Sequence, residues 1–342
     1  MRMPSNARRA TLATVAASAG VSVATVSKVL NGRSDVSPAT RSLVQSLLQQ
    51  HDYVAPAPRR EPPGLATVEL QFDADLNAYS TEIIQGAVAA GAEAGIGIVV
   101  SIRSGAARTT AWARQLVAAG RRALIAVTGE LTSGQPAALA RARLPLVLID
   151  PLNLPRTRVT SIGSTNFAGG LAATHHLLSL GHRRIAYIGG PATAGCNQAR
   201  LHGYRAAMEA EGAPVLPGFV RSGHFRYHDG MASGAAVLDL PHAPTAIFAG
   251  CDEVAVGVME AARARGLRIP DDLSIVGFDD TQIAQLTSPP LTTVRQPLRE
   301  MGGAALRTAL RLAAGERVDS HHVELATELV VRGSTAPVPH RP

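Results

Sequence analysis

Apolar positions change their period along this chain, and the changes divide it. Near the start, Val15, Ala16 and Ala19 recur at helical spacing, then Val26, Val29 and Leu30, then Leu43, Val44, Leu47 and Leu48. Each segment carries its own start and stop. Thr11 is placed to cap a helix from Leu12, and Gly20 breaks it. Ser22 opens a second helix, running to about Leu30 before Asn31-Gly32 stops it, and Ser37-Pro38 opens a third. Helix, glycine-containing turn, helix predicts a helix-turn-helix head over residues 1–53. The next stretch, "YVAPAPRREPPG", loses all periodicity. Pro56, Pro58, Pro62 and Pro63 disfavour a helix and push each preceding residue towards extended backbone. A semi-rigid, extended linker is expected over 54–64, with Arg59 and Arg60 placed for phosphates or a minor groove.

From Leu65 the period alternates. "LATVELQF", "GIGIVVS", "RALIAV" and "LPLVLID" read as strands, with helical segments near 80–94, 109–120 and 134–142 between them. "RRIAYIGG", "TAIFAG" and "DLSIVGFDD" are further strands. Such alternation predicts an α/β body of parallel sheets flanked by helices, binding ligands at the carboxyl ends of the strands. The length of residues 65–342 favours two sheets facing a cleft over a single sheet.

Composition narrows the class. Of 342 residues, 46% are hydrophobic and 17% charged, as in a globular chain, and no apolar run approaches the roughly 18 residues of a membrane span. Cys196 and Cys251 are the only cysteines, too few for a disulfide framework, so a reducing cytoplasm is expected. The net charge of +7 is uneven: residues 1–64 hold 8 Lys+Arg against 3 Asp+Glu, the rest 25 against 23. A basic head on a near-neutral body points to a polyanionic partner. "ARRATLATVAASAG" has the outline of a signal peptide, but Thr11, Thr14 and Ser18 interrupt its apolar run, and a packed helix fits it better.

With Val26, Val29 and Leu30 facing inward, the second helix turns Val23, Ala24, Ser27 and Lys28 outward. Lys28 is the only lysine in the chain. Short Val23 and Ala24 let a helix lie deep in a major groove against thymine methyls, and Lys28 can reach a guanine edge or a phosphate. Ser22, Thr25 and Asn31 are placed for phosphates, which orient without specifying. An ordinary helical hairpin would carry the same apolar spacing.

"ATLATVAASAGVSVATVSKVLNGRSDVSPATRSLVQSLLQQHDYV" resembles the DNA-binding head of the lactose-repressor/galactose-repressor family, whose hallmark is V-S-x-x-T-V-S-x-V-L-N followed by V-S-x-x-T-R. The resemblance implies that Thr11, Ser22, Thr25, Ser27 and Asn31 work mainly on the DNA backbone, while Val23, Ala24 and Lys28 read bases. It extends through "GHRRIAYIGGP", "ARLHGYRAAMEAEG", "PTAIFAGCDEVAVGVMEAARARGLRIPDDLSIVGFDD", "PPLTTVRQP" and "ELVVRGST". These imply a two-lobed body built like a periplasmic sugar-binding protein. The family's tetramerising leucine repeat has no counterpart after "VVRGST", which implies a homodimer. The family's hinge helix, with its minor-groove leucine, has no match in the proline-rich linker, so less DNA bending is expected.

By motif position, Arg200 and Asp279 match the family's effector-contacting arginine and aspartate, and Phe225 its stacking aromatic. Tyr79, Asp150 and Ser164 match positions that often line the cleft. Cys251 stands where a polar residue is often found. A sugar site needs such planar donors and acceptors with one aromatic face. The stretch "STNFAGGLAATHHLLSLGHRRI" looks like actinobacterial regulators of plant-polysaccharide sugar uptake, which favours an oligosaccharide.

Other chemistry finds little support. His175-His176 and His321-His322 are adjacent pairs that point apart in a helix, and His224 and His228 have no third ligand nearby. No G-x-S-x-G elbow is present, and a lone "IGG" is far from a dinucleotide fingerprint. Neither a metal, a cofactor nor catalysis is expected. The expectation is a cytoplasmic, sugar-responsive transcriptional repressor that binds a pseudo-palindromic operator in double-stranded DNA and a small sugar. A solute-binding protein for sugar transport is the alternative, and the basic head argues against it.

Overall fold

Thr11 starts the first helix, α1 (Leu12–Ala19), with a reciprocal cap. Its hydroxyl accepts from the Thr14 amide at 3.3 Å, and its own amide donates to the Thr14 hydroxyl at 3.5 Å. The computed structural model describes residues 11–30, 36–51, 66–73, 75–102, 110–129, 134–152 and 159–338, in two units, Met1–Gly64 and Leu65–Pro342. The linker at 54–64, with Arg59 and Arg60, and Asn31 of the head lie outside the described residues.

Gly20 ends α1 with φ +64, a left-handed turn that a side chain would strain, and α2 (Val23–Leu30) leaves it bent by 106°. Ser37 caps α3 (Pro38–Gln50) by accepting from the Thr40 amide at 3.2 Å, with Pro38 in the first turn. Val15, Ala16, Val26, Val29 and Val44 form the buried core of the head. Two apolar residues depart from the expected stripes: Leu30 is 38% and Leu43 48% exposed. At about 100° per residue, Leu30 lies roughly 70° from the centre of the Val26/Val29 face and Leu43 about 90° from that of Val44, Leu47 and Leu48. Both sit at the edge of a small core that the valines fill.

In the body, parallel strands alternate with helices, as the period predicts. The first sheet receives β1 (Thr67–Phe72), α4 (Ala78–Ala94), β2 (Gly97–Ile102), α5 (Thr110–Ala118), β3 (Arg121–Val127), α6 (Gly134–Arg141), β4 (Leu146–Ile149) and β5 (Thr160–Ser164). The chain then crosses to the second sheet with α7 (Asn166–Ser179), β6 (Ile185–Gly189), α8 (Gly195–Ala210), β7 (Val220–Ser222), α9 (Tyr227–Leu238) and β8 (Ala246–Ala249). α10 (Asp252–Arg263), β9 (Ser274–Asp279), α11 (Gln282–Leu286) and β10 (Thr292–Arg295) complete that run. It returns with α12 (Leu298–Ala313) and β11 (His322–Leu325), and crosses again into β12 (Glu328–Val330).

The six-stranded sheets have the orders β11-β5-β4-β3-β1-β2 and β12-β10-β9-β8-β6-β7. Their described pairings are parallel except β10 with β12. β1 pairs with both β2 and β3, so its run Val68–Phe72 is buried on both faces. Three crossings join the two lobes, after β5, after β10 and after β11.

Three helix pairs pack backbone to backbone through reciprocal glycines. A Cβ on Gly86 of α4 would overlap the Arg299 carbonyl at the start of α12, and one on Gly302 the Ile83 carbonyl. Gly170 and Gly203 meet the Arg200 and Phe167 carbonyls where α7 crosses α8. Gly230 and Gly257 meet those of Val254 and Tyr227 where α9 crosses α10. Each crossing fixes a helix whose first turn, or whose arginine, faces the cleft.

Candidate ligand cleft and candidate nucleic-acid interface

The exposed face of α2 holds short side chains. Val23 is 46% exposed, and Ala24 and Lys28 are exposed beside it, while Ser27 and Thr25 are half-buried. Ser22 and Thr25 are tied to each other: the Thr25 amide donates to the Ser22 hydroxyl at 3.1 Å, and their hydroxyls lie 2.9 Å apart. Ser22 and Thr11 therefore serve as helix caps in the free head, and their hydroxyls stand at the helix ends where a phosphate would be met.

In the body, a cavity of about 640 Å³ opens between the lobes at the carboxyl ends of the strands. Tyr79, Asp150, Arg200, Phe225 and Asp279 all line it. The fold brings them from five places: the first turn of α4, the end of β4, the middle of α8, the loop after β7 and the end of β9. Arg200, only 3% exposed, is the best-anchored of them. Its Nε donates to Asn166 Oδ1 at 2.7 Å and its Nη1 to the Gly250 carbonyl at 2.6 Å. The guanidinium lies 3.8 Å from the Phe278 ring centroid, 5.6 Å from that of Phe225 and 4.0 Å from Asp279 Oδ1. Gly190 makes room for Phe225, whose ring a Cβ there would overlap; this is the use of the "IGG" turn.

Asp150 and Asp279 are held differently. Asp279 accepts from Gln296 Nε2 at 2.6 Å, and Asp150 from the Tyr79 hydroxyl at 2.8 Å. Burial raises the Asp279 pKa well above the usual carboxylate value, opposed by Arg200; burial raises Asp150 as well, opposed by Arg200 and by the Tyr79 hydroxyl. Tyr79 is itself pushed well up by burial and by Asp150. Both thiols that face the cavity are raised by burial, Cys196 to about 11 and Cys251 well up, so they behave as small apolar lining.

Backbone strain collects at the same strand ends. Thr128, Asp150, Asp279 and Asp280 have φ of +46°, +42°, +117° and +56° after β3, β4 and β9. The Asp279-Asp280 pair is held from behind. Asp280 binds Arg295 Nε at 2.7 Å and Arg332 Nη2 at 2.5 Å, while Asp252 accepts from the Thr281 amide at 2.8 Å and the Thr293 hydroxyl at 2.6 Å.

Ser164 departs from its expected place. It is fully buried at the end of β5, is not part of the cavity wall, and donates to Gln296 Oε1 at 2.5 Å. Gln296 in turn holds Asp279, which links Ser164 to the cleft through two hydrogen bonds. Asn166, Gln296, Glu253 and Arg226 were not singled out in the sequence, although all four hold the site or its mouth. Asn77 Nδ2 donates to Glu253 Oε2 at 3.3 Å and Arg226 Nη2 to the Asp75 carbonyl at 3.4 Å, both from one lobe to the other. No local pattern marks these residues, because each meets its partner far along the chain, Glu253 and Arg226 across the cleft and Asn166 and Gln296 within one lobe. Among the described residues, no group of three or more His, Cys, Asp or Glu is placed to hold a metal ion, and no single helix is long and apolar enough to cross a membrane.

Residues 11–55 match the family described as bacterial regulatory proteins, lacI family, and residues 174–335 the periplasmic binding protein-like domain. The HTH-type transcriptional regulator DegA of Bacillus subtilis (strain 168) is 34% identical over 96% of this chain and 99% of its own. The structure of a transcriptional regulator CelR-cellobiose complex superposes with TM-score 0.72 at 33% identity, covering 95% of this chain and 100% of that one. A lac repressor dimer bound to operator and the anti-inducer ONPF gives TM-score 0.69 at 28% identity, over 96% and 100%.

Proposed function

The chain belongs to the lacI family of bacterial regulatory proteins, and from that premise we propose that it is a sugar-responsive repressor: a homodimer that places two heads on a pseudo-palindromic operator and is released by a small sugar. Its relatives over nearly the full length are transcriptional regulators, which favours this over delivery of sugar to a transporter. Such a protein works where the DNA is, in the cytoplasm. The reading rests most on one feature. A helix-turn-helix with Val23 and Ala24 exposed is joined, in one chain, to a cleft where Arg200, Asp279, Asp150, Tyr79 and Phe225 converge.

Val23, Ala24 and Lys28 read base edges in this reading, while Thr11, Ser22, Thr25, Ser27, Asn31, Arg59 and Arg60 contact the backbone or minor groove. In the cleft, Arg200 and Asp279 take vicinal hydroxyls, Asp150 and Tyr79 a second set, and Phe225 the ring face. Ser164 contributes by bracing Gln296. A sugar that prefers one arrangement of the lobes shifts the population by its differential affinity alone. The domains divide at 1–53, 54–64 and 65–342, head, linker and effector body.

Footprinting of the protein on the DNA flanking its own gene, with and without a sugar panel that starts from cellobiose, tests this. Protection of a two-fold site that one sugar abolishes is the expected result. A sugar that binds the protein without changing any DNA contact would favour the transport reading.

A further inference from the structure

Resting on the reading of the cleft as a ligand site that opens and closes, we infer that Asn77, Arg226 and Glu253 form a latch across its mouth, which parts whenever a ligand enters or leaves. The three crossings between the lobes leave from β5, β10 and β11, each at or next to one edge of its sheet. The latch stands towards the opposite edge. Asp75 and Asn77 follow β1, beside the edge strand β2; Arg226 and Tyr227 follow the edge strand β7; and Glu253 follows β8. The cleft is thus bounded by covalent crossings on one side and by separable contacts on the other.

Glu253 is the centre of these contacts. Its Oε2 accepts from Asn77 Nδ2 at 3.3 Å and lies 4.0 Å from Arg226 Nη1, while its Oε1 accepts from the Tyr227 amide at 3.3 Å. One carboxylate therefore joins the start of α4, in one lobe, to the starts of α9 and α10 in the other. Arg226 adds a second tie, donating to the Asp75 carbonyl at 3.4 Å. These bonds are long, and the Arg226 and Glu253 side chains are each 25% exposed, so water competes for them. The bonds that seat Arg200, at 2.6 and 2.7 Å, are short and buried by contrast. A further inter-lobe bond, from the Gly195 amide to the Leu152 carbonyl at 3.0 Å, lies after β4 and nearer the crossings. A hinge rotation moves atoms in proportion to their distance from the hinge, so the latch parts further than this bond.

The chain carries its own reporter of such opening. Cys196 and Cys251 are its only cysteines, both line the cavity, and they are 8% and 5% exposed. Burial raises the pKa of both thiols, so the closed cleft keeps them protonated as well as shielded. A thiol reagent reaches them as the lobes separate, and its rate measures opening with no sugar present.

Reaction of the ligand-free, full-length protein with the thiol reagent DTNB tests the latch. Asn77→Ser keeps a hydroxyl to cap α4, where Asn77 Oδ1 now accepts from the Ser80 amide at 3.0 Å, but is too short to reach Glu253. It should speed the reaction about fivefold, the equivalent of one net hydrogen bond. Glu253→Ala frees Asn77, Arg226 and the Tyr227 amide together and should speed it at least as much. The double variant should react no faster than Glu253→Ala alone, because Asn77 then has no partner left to lose. Unchanged rates in both single variants overturn the latch. Effects that multiply in the double variant overturn it too, since the two residues would then act separately. So does a rise in rate matched by an equal loss of stability in a denaturant titration, which would mean that the thiols are exposed by unfolding. No sugar is used, so the latch stands or falls apart from the sugar reading, which the footprinting decides.

Discussion

Replacing Asp279 by Asn tests the switch with little disturbance of shape. The side chain is 6% exposed, accepts from Gln296 at 2.6 Å and sits at φ +117°. Asn keeps an oxygen for Gln296 and is among the residues that best tolerate left-handed backbone. At a pH where the carboxyl is ionised, above its raised pKa, what is removed is charge. A hydrogen bond to a charged group contributes about 1.5–3 kcal/mol and a neutral one about 0.5–1.5, so each hydroxyl bound by Asp279 loses about 1–1.5 kcal/mol, roughly tenfold in affinity. The fold should tolerate the change. Because burial raises the folded-state pKa of Asp279 well above its ordinary value, its contribution to stability is complete below that ordinary value and is lost as pH rises through the folded one. The variant loses that decline, and Arg200 keeps Asp150 as a countercharge. Fluorescence anisotropy of an operator duplex should show unchanged DNA affinity and a half-release sugar concentration about tenfold higher. Thermal unfolding should show stability that falls less steeply from pH 4 to pH 7 than in the wild type. Release at the wild-type sugar concentration would refute the assignment of Asp279. A collapse in melting temperature would mean that the aspartate holds the lobe and not the ligand.

Exchange of Val23 and Ala24 for larger polar residues should change the operator consensus selected from randomised duplexes, and Lys28→Ala should weaken the best site, each contact contributing about 1–3 kcal/mol; an unaltered consensus would count against this face as the reader. Gly203→Ala places a methyl against the Phe167 carbonyl where α7 crosses α8, so it should lower stability by about 1–3 kcal/mol in a denaturant titration. An unchanged midpoint would show that the two helices separate freely. Burial lowers the pKa of His182, and also that of His176, below the usual 6.5. The unfolded chain therefore takes up these protons first, and their contribution to stability declines as pH falls through 6.5, opposite in sign to that of Asp279. Proton NMR should find both rings titrating below pH 6.5, and a midpoint above that value would contradict their burial.

Local order was legible because its causes are local. The caps at Thr11 and Ser37, the break at Gly20 and the apolar runs of β1, β3, β6, β8 and β9 each depend on residues within a turn or on both faces of one strand. The strands β5, β7, β10, β11 and β12 were not singled out, since "TSIGS", "VRS", "TTVR", "HVEL" and "ELV" are short or polar and become strands only beside a neighbour. Arg200 and Asp279 stood out through motifs, but their partners Asn166 and Gln296 did not. Those lie 34 and 17 residues away and are joined to them by helix crossings and inter-lobe passages. Ser164 carries the same lesson: motif position put it at the cleft, and packing turned it onto Gln296. Periodicity and capping act over one turn or one pleat, so sequence alone sufficed for the helices of the head, the strongly apolar strands and the two-sheet class. The glycine crossings that seat Arg200 and the contacts of Glu253 with Asn77 and Arg226 depend on distance in space. Only the folded chain decided them.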